Sequence, residues 1–248
     1  MFIYCRTQGI ILKKEDRGES SQFFIIYTKD FGKIEVLGKA IRKTTSKLRG
    51  GAELFYLSDI EFIQGKTYKT LTDAFLIKKF QNIRKDLIKL KIAYAISESL
   101  DNLVSEQEAD QEIWQLLQSA FEKLDGVQTT QGTLYKMYYY FFWNLLSILG
   151  HAPELYSCFQ CQKKLSSEDV HFSLKEVGFI CQNCFKGLKQ RHGKLVKIDP
   201  DLIKIIRIII AQKENLFLKL RIAPRHREFL KDISNYYLSF FRSIHNKI

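Results

Sequence analysis

The chain has 248 residues, 46% of them apolar and 13% aromatic, with 39 Lys and Arg against 27 Asp and Glu for a net charge of +12. A polypeptide of this size and composition can bury a substantial core, which excludes a disordered chain, and so large a cationic surplus points to a polyanionic partner. The longest apolar stretch, Tyr138 to Gly150, is too short for a bilayer and carries Asn144, so no membrane partner is expected.

The charge is unevenly spread. Residues 1–80 hold 15 basic and 9 acidic side chains, residues 81–150 hold 6 and 9, and residues 151–248 hold 18 and 9. Two basic ends therefore flank a slightly acidic middle, with anion contact expected at the ends.

In the first part, β-type clusters fall at Gly9–Leu12, Phe23–Tyr27, Ile34–Leu37, Leu54–Ile63 and Tyr68–Ile77. Turn signals at Asp16–Ser21, Asp30-Phe31-Gly32 and Gln64-Gly65-Lys66 separate them. Five short strands without a helical period predict a small closed barrel, of OB or SH3-like type; the pattern does not choose between them.

Between the third and fourth strands, Lys39, Arg42, Lys43, Lys47 and Arg49 place five cations within eleven residues, with no acid before Glu53. Thr44, Thr45 and Ser46 add hydroxyl donors, and Gly50 and Gly51 let backbone approach a phosphate closely. On a barrel rim this loop is expected to meet a sugar–phosphate chain, with Lys13, Lys14, Arg17, Lys33, Lys66 and Lys69 extending the track. Of the nearby aromatics Phe23, Phe24, Tyr27, Phe31, Phe55, Tyr56 and Tyr68, most are expected inside the barrel and one or two outside. Their order along the chain does not say which.

The middle part reads as helical. Ile113, Leu116, Leu117, Ala120, Phe121 and Leu124 form one apolar stripe, and Leu87, Leu90, Tyr94 and Leu103 suggest another. Tyr135 to Leu149 is apolar nearly all round and is expected to be a central buried helix, ending at Gly150 ahead of Pro153. Further on, Asp199-Pro200 predicts a capped helix over Leu202–Ala211, and Phe229, Leu230, Ile233, Tyr236, Tyr237, Phe240, Phe241 and Ile244 predict a last amphipathic helix docked on the middle helices.

The strongest local signal is Cys158-Phe159-Gln160-Cys161, followed after 19 residues by Cys181-Gln182-Asn183-Cys184. Two CxxC loops can complete a tetrahedral shell of four thiolates, so Cys158, Cys161, Cys181 and Cys184 are expected to hold one structural Zn²⁺ in a zinc ribbon. With all four positions filled by sulfur, such a zinc does not activate water. Segments 170–174 and 178–180 supply the ribbon hairpin, and His171 and His192 are expected to be surface bystanders. Gln162 stands where glycine is favoured, because the knuckle needs a left-handed backbone. Cys5 reads as a small buried hydrophobe. Paired cysteines of this kind fit a reducing, cytoplasmic compartment better than a secreted disulfide framework.

Taken together, Thr7-Gln8-Gly9-Ile10-Ile11-Leu12, Arg17-Gly18-Glu19-Ser20, Asp30-Phe31-Gly32-Lys33, the basic loop from Gly38 to Gly50, and Leu145 to Leu155 running into Cys158 and Cys161 resemble the RecO family of bacterial recombination mediators. The resemblance covers nearly the whole chain. It implies an α+β protein: an OB-fold barrel over residues 1–80, a helical domain over 81–155, a zinc ribbon over 156–195, and C-terminal helices over 196–248 completing the helical domain. It also implies binding to single- and double-stranded DNA, annealing of complementary strands, and recombinase loading with RecR. Contact with the acidic tail of the single-stranded DNA-binding protein is a further implication, in the bacterial cytoplasm at the nucleoid. The work is not enzymatic, since no catalytic constellation is present in the sequence and annealing makes or breaks no bond. The rival expectation is a zinc-ribbon transcription or ribosome-associated adaptor that binds RNA.

Overall fold

The computed structural model describes residues 3–65, 67–105, 109–126, 131–165, 170–173, 178–188 and 195–245, the side chains of 131, 188, 195 and 242–245 excepted. Lys66, His192 and Ile244 thus lie outside what is described, wholly or in their side chains. The chain is α+β and divides into two compact units, residues 1–141 and 142–248.

The first unit opens with strands β1 (Ile3–Arg17), β2 (Ser21–Thr28), β3 (Gly32–Gly38), β4 (Leu57–Gln64) and β5 (Lys69–Lys78). They close into a barrel in the order β1-β2-β3-β5-β4, and the closing β3–β5 pair is parallel. This order is OB-type, which decides the choice the strand count left open. Closure depends on β1, which is far longer than the expected Gly9–Leu12. Its first half pairs with β4 from Ile3 to Ile10, and its second half pairs with β2 from Gly9 to Arg17. A bulge between Ile11 and Lys13 bends the strand from one partner to the other. At the crossover a Cβ on Gly9 would lie 2.7 Å from Ile26 Cγ2, so only glycine lets the strands approach this closely.

Alternation along the strands sends Ile11, Phe24, Ile26, Ile34, Val36, Ile60, Phe62, Leu71 and Ala74 inward. Cys5 is half-buried and packs against this cluster, as expected of a small hydrophobe. The fourth strand begins at Leu57, because Phe55 takes a left-handed backbone (φ 61°). That turn drives the Phe55 ring out of the sheet direction and onto Phe121 and Tyr94.

Four helices follow: α1 (Gln81–Lys85), α2 (Leu87–Leu103), α3 (Gln111–Gly126) and α4 (Gln131–Ile148). Asp86 caps α2 by accepting from the N–H groups of Ile88 and Lys89. The α3 stripe is largely as expected, with Ile113, Leu117, Phe121 and Leu124 buried beside Trp114. The α2 stripe is only partly so: Leu103 is buried and Leu90 half-buried, but Leu87 and Tyr94 are exposed, and the buried face runs through Ile92, Ala93, Ile96 and Leu100 as well. Ile92, Ile96, Leu100 and Leu103 follow one another at i, i+4 and i, i+3 spacing, and this face takes the core. In α4, Phe141 to Leu146 are all buried, and the helix stops at Gly150 in a left-handed conformation.

The second unit holds a three-stranded sheet of β6 (Val170–Ser173), β7 (Gly178–Ile180) and β8 (Leu195–Ile198), with β6 in the middle. The sequence suggests only the β6–β7 hairpin. Helix α5 (Gln182–Leu188) follows β7, and α6 (Pro200–Ile210), α7 (Glu214–Lys219) and α8 (Pro224–His245) end the chain. Asp199 caps α6 as expected, and Trp143, Phe172 and Tyr237 of α8 pack ring on ring. The short α7 has no counterpart in the sequence expectation. No helix among the described residues is long and apolar enough to cross a membrane.

The basic segment between β3 and β4 closes one end of the barrel. Ile41, Leu48 and Ala52 enter the barrel core, with Leu48 on a short 3₁₀ turn (Lys47–Gly50). Gly51 passes so close to β5 that a Cβ there would lie 2.1 Å from the carbonyl oxygen of Ala74. A Gly51→Ala chain should therefore lose about 1–3 kcal/mol in urea unfolding through overpacking. Gly50→Ala, where an added carbon meets nothing within 4 Å, should stay within about 0.5 kcal/mol of the parent. Equal stability of the two variants would contradict this seating.

Candidate functional site

Because Ile41, Leu48 and Ala52 face the core, the intervening side chains are turned to solvent. Lys39, Arg42, Lys43, Lys47 and Arg49 are all exposed. Among the described residues only Arg42 of these five is ion-paired, with its guanidinium 3.2 Å from Asp16. The loop is also pinned by its backbone: Arg42 N–H donates to Ser20 O at 3.0 Å, and Ala40 N–H donates to Ser21 Oγ at 3.3 Å. Ala40 adopts φ 52°, a left-handed turn that redirects the chain after β3. The cations thus stand on a segment held at both its apolar and its backbone contacts.

A cleft of about 190 Å³ opens where this segment meets β1 and β2, lined by Lys14, Gln22, Ile41, Arg42, Arg49, Ala52 and Glu53. It brings together three of the sequence candidates, Lys14, Arg42 and Arg49, around an opening of mostly polar lining. Lys14 Nζ lies 2.7 Å from Glu53, which also lies 3.7 Å from Arg84. Glu53 thereby ties the cleft to α1, and Arg84 stacks its guanidinium 4.7 Å from the centre of the Tyr56 ring.

The remaining candidates separate. Lys13 is exposed and pairs with Glu15 at 2.6 Å. Arg17 lies over the Phe23 ring, 5.1 Å from its centre. Lys33 does not join the surface track: it is buried, donating to the carbonyl of Asp101 at 2.7 Å and to its carboxylate at 3.2 Å. Its place on β3 turns it toward α2, where it fixes helix to barrel. A buried ammonium with both contacts inside the protein is not offered to a ligand. Nothing in the residues around Lys33 signals this, because its partner lies 68 positions away.

The second site is the cysteine cluster. One ligand atom from each of Cys158, Cys161, Cys181 and Cys184 lies within 4.8 Å of the others, and all four cysteines are free of disulfides. Cys161 Sγ and Cys181 Sγ are 3.8 Å apart. Sulfurs about 2.3 Å from a shared tetrahedral ion stand about 3.8 Å from one another, so the residues fit a metal ion. Gln162 does adopt the left-handed backbone (φ 60°) that glycine would favour, and its N–H donates to Cys158 O at 2.9 Å, closing the first knuckle. Phe159 N–H donates to Phe179 O at 2.8 Å and anchors that knuckle to β7. The second pair is built differently from a simple loop: Cys181 follows β7 directly, and Cys184 lies in the first turn of α5.

Burial pushes the Cys158 thiol up, but N–H donation from Cys181, Cys161 and Gln160 outweighs it and lowers the group to about 7. Cys184 is raised, first by burial and then by hydrogen bonding among the clustered sulfurs. Four sulfurs gathered this closely are a donor set suited to a soft divalent cation. His171 is not a surface residue. It is buried on β6 and stacks on the Phe185 ring with centres 3.6 Å apart.

The residues can be compared with known proteins. Residues 1–80 match the family model Recombination protein O N terminal, and residues 84–240 match Recombination protein O C terminal. DNA repair protein RecO of Dehalococcoides mccartyi is 32% identical over 228 residues, 92% of this chain and 85% of that protein. The protein of the same name from Acetivibrio thermocellus is 28% identical over 235 residues, 95% and 90% of the two chains. That from Halalkalibacterium halodurans is 24% identical over 249 residues, 99% and 92%. Together the two family models account for both the barrel with its basic segment and the later part of the chain that holds the cysteine cluster: the chain belongs to the RecO family.

Proposed function

We propose that this chain is a DNA-repair mediator that binds single- and double-stranded DNA and anneals complementary strands. Family membership supports a role in DNA repair and recombination, and favours this reading over an RNA-binding transcription or ribosome-associated adaptor. The observation that carries the DNA contact is the basic segment itself: five exposed cations, four without a carboxylate among the described residues, on a loop whose apolar residues are locked in the barrel. Exposed charges held close together repel one another unless an anion neutralises them. A phosphodiester chain supplies such charge at every nucleotide.

On this reading Lys39, Arg42, Lys43, Lys47 and Arg49 make the principal contacts, with Lys13, Lys14 and Arg17 flanking. Two complementary strands repel through their phosphates; a cationic surface lowers that repulsion, and base pairing then supplies the specificity. No bond is made or broken, so no catalytic group is required. RecR and the acidic tail of the single-stranded DNA-binding protein are the proposed protein partners, at the nucleoid in the cytoplasm. The same reading divides the chain into barrel (1–80), helical domain (81–155), ribbon (156–195) and C-terminal helices (196–248).

Annealing of fluorescently labelled complementary oligonucleotides tests the function. The combined Arg42→Ala, Lys43→Ala and Lys47→Ala variant should anneal about ten-fold more slowly at 0.1 M salt. An unchanged rate would contradict the assignment to this loop.

The four cysteines are proposed to hold one Zn²⁺, with a role in scaffolding. The purified full chain should take up one equivalent of Co²⁺, with the intense thiolate-to-metal absorption of a tetrahedral sulfur site. Cys161→Ser and Cys181→Ser should each weaken that uptake. Because metal and protons compete for the thiolates, affinity should fall as pH drops. A chain that binds no Co²⁺, or binds it equally well without Cys181, would contradict this assignment.

A further inference from the structure

The corner where β1 turns into β2 is joined to the basic segment by three contacts. Two use the backbone of the segment: Arg42 N–H donates to Ser20 O, and Ala40 N–H donates to Ser21 Oγ. The third is the ion pair of Arg42 with one carboxylate oxygen of Asp16 at 3.2 Å. Asp16 is aimed by its cross-strand neighbour. The register sets it opposite Gln22, whose side-chain N–H donates to the other carboxylate oxygen at 2.8 Å. Gln22 and Arg42 both line the cleft, so the carboxylate is held between two of its walls.

This pair is open to exchange. The Arg42 side chain is 45% exposed and that of Asp16 58%, and an ion pair so well hydrated contributes little to stability. Glu53, the other carboxylate at the cleft, differs: it is half-buried and holds both Lys14 and Arg84, so it belongs to the frame. A carboxylate and a phosphodiester each offer a guanidinium two oxygens that share a negative charge, and either can occupy the same arginine. Of the five cations on the segment, Arg42 alone is occupied in this way among the described residues.

We propose that Asp16 is an internal competitor for the DNA phosphate: it holds Arg42 until a phosphodiester displaces it, and it keeps the affinity of the basic segment below what the five cations would give unopposed. The proposal rests on the DNA-binding reading and adds to it a regulation of that site. An arginine held by its own carboxylate is not competent to bind, and the apparent affinity falls with the fraction of chains in which it is free. When a strand leaves, Arg42 returns to Asp16, which favours release of the annealed product.

Equilibrium binding of the full-length protein to a single-stranded oligonucleotide at about 0.1 M salt tests this. Asp16→Asn keeps the shape and an oxygen for Gln22 while removing the charge, and should tighten binding about three-fold. Glu19→Gln is the control. It changes the net charge equally, three residues along, at an exposed side chain with no ion pair among the described residues, and it should gain clearly less. On an Arg42→Ala background, Asp16→Asn should gain no more than that control. The competitor is refuted if Asp16→Asn gives no gain, if Glu19→Gln matches it, or if the gain survives Arg42→Ala. In each of these cases the DNA-binding reading stands as long as the combined Arg42→Ala, Lys43→Ala and Lys47→Ala variant loses affinity. If that variant binds as tightly as the parent, the DNA-binding reading is itself refuted.

Discussion

The interaction on which the rest of the barrel's chemistry depends is the insertion of Ile41, Leu48 and Ala52 into the barrel end. A segment with five cations in eleven residues has no reason of its own to be ordered. Self-repulsion opposes compactness, and polar loops gain little by burial. Burying an isoleucine and a leucine contributes about 1.5–3 kcal/mol each, which offsets part of that cost. The near-contact of Gly51 with the carbonyl of Ala74 then fixes the height of the segment on β5. Its charges are therefore presented from a rigid base, and a preorganised cationic surface loses less conformational freedom on meeting an anion than a flexible tail does.

The barrel is in turn held by features distant in sequence. The bulge in β1 lets a single strand pair on both sides and so removes an open edge. Within the first unit, Phe55 and Phe80 both adopt left-handed backbones to place their rings on Phe121 of α3. A left-handed phenylalanine costs about 1 kcal/mol or more, and the aromatic cluster compensates for it. Lys33 and Asp101 add a polar tie between β3 and α2.

Much of this was legible in the sequence, and the misses have physical causes. Strand count, the helix ends at Gly150 and Asp199, and the cysteine spacing are local signals, because turn chemistry, capping and metal-ligand loops are decided within a few residues. The left-handed turn at Gln162 was likewise readable, from the glycine it replaces. The length of β1 was hidden because its two ends face different partners, so no single alternation runs through it. The burial of Lys33 depends on a partner 68 positions away, and that of His171 on the ring of Phe185 from a separate element, α5. The choice of face on α2 was ambiguous because Leu87 and Tyr94 are as apolar as the residues that are buried. Which aromatics look outward could not be read until the phase of β2 within the barrel was known.

In the proposed function, the cations seated on the barrel end meet phosphates. The dependence of single-strand affinity on salt counts those contacts most directly. A plot of log K against log salt should be steep for the parent chain, and shallower by about two to three units once Arg42, Lys43 and Lys47 are replaced by alanine. Parallel plots for the two proteins would show that the basic segment makes no phosphate contacts, and would contradict the account.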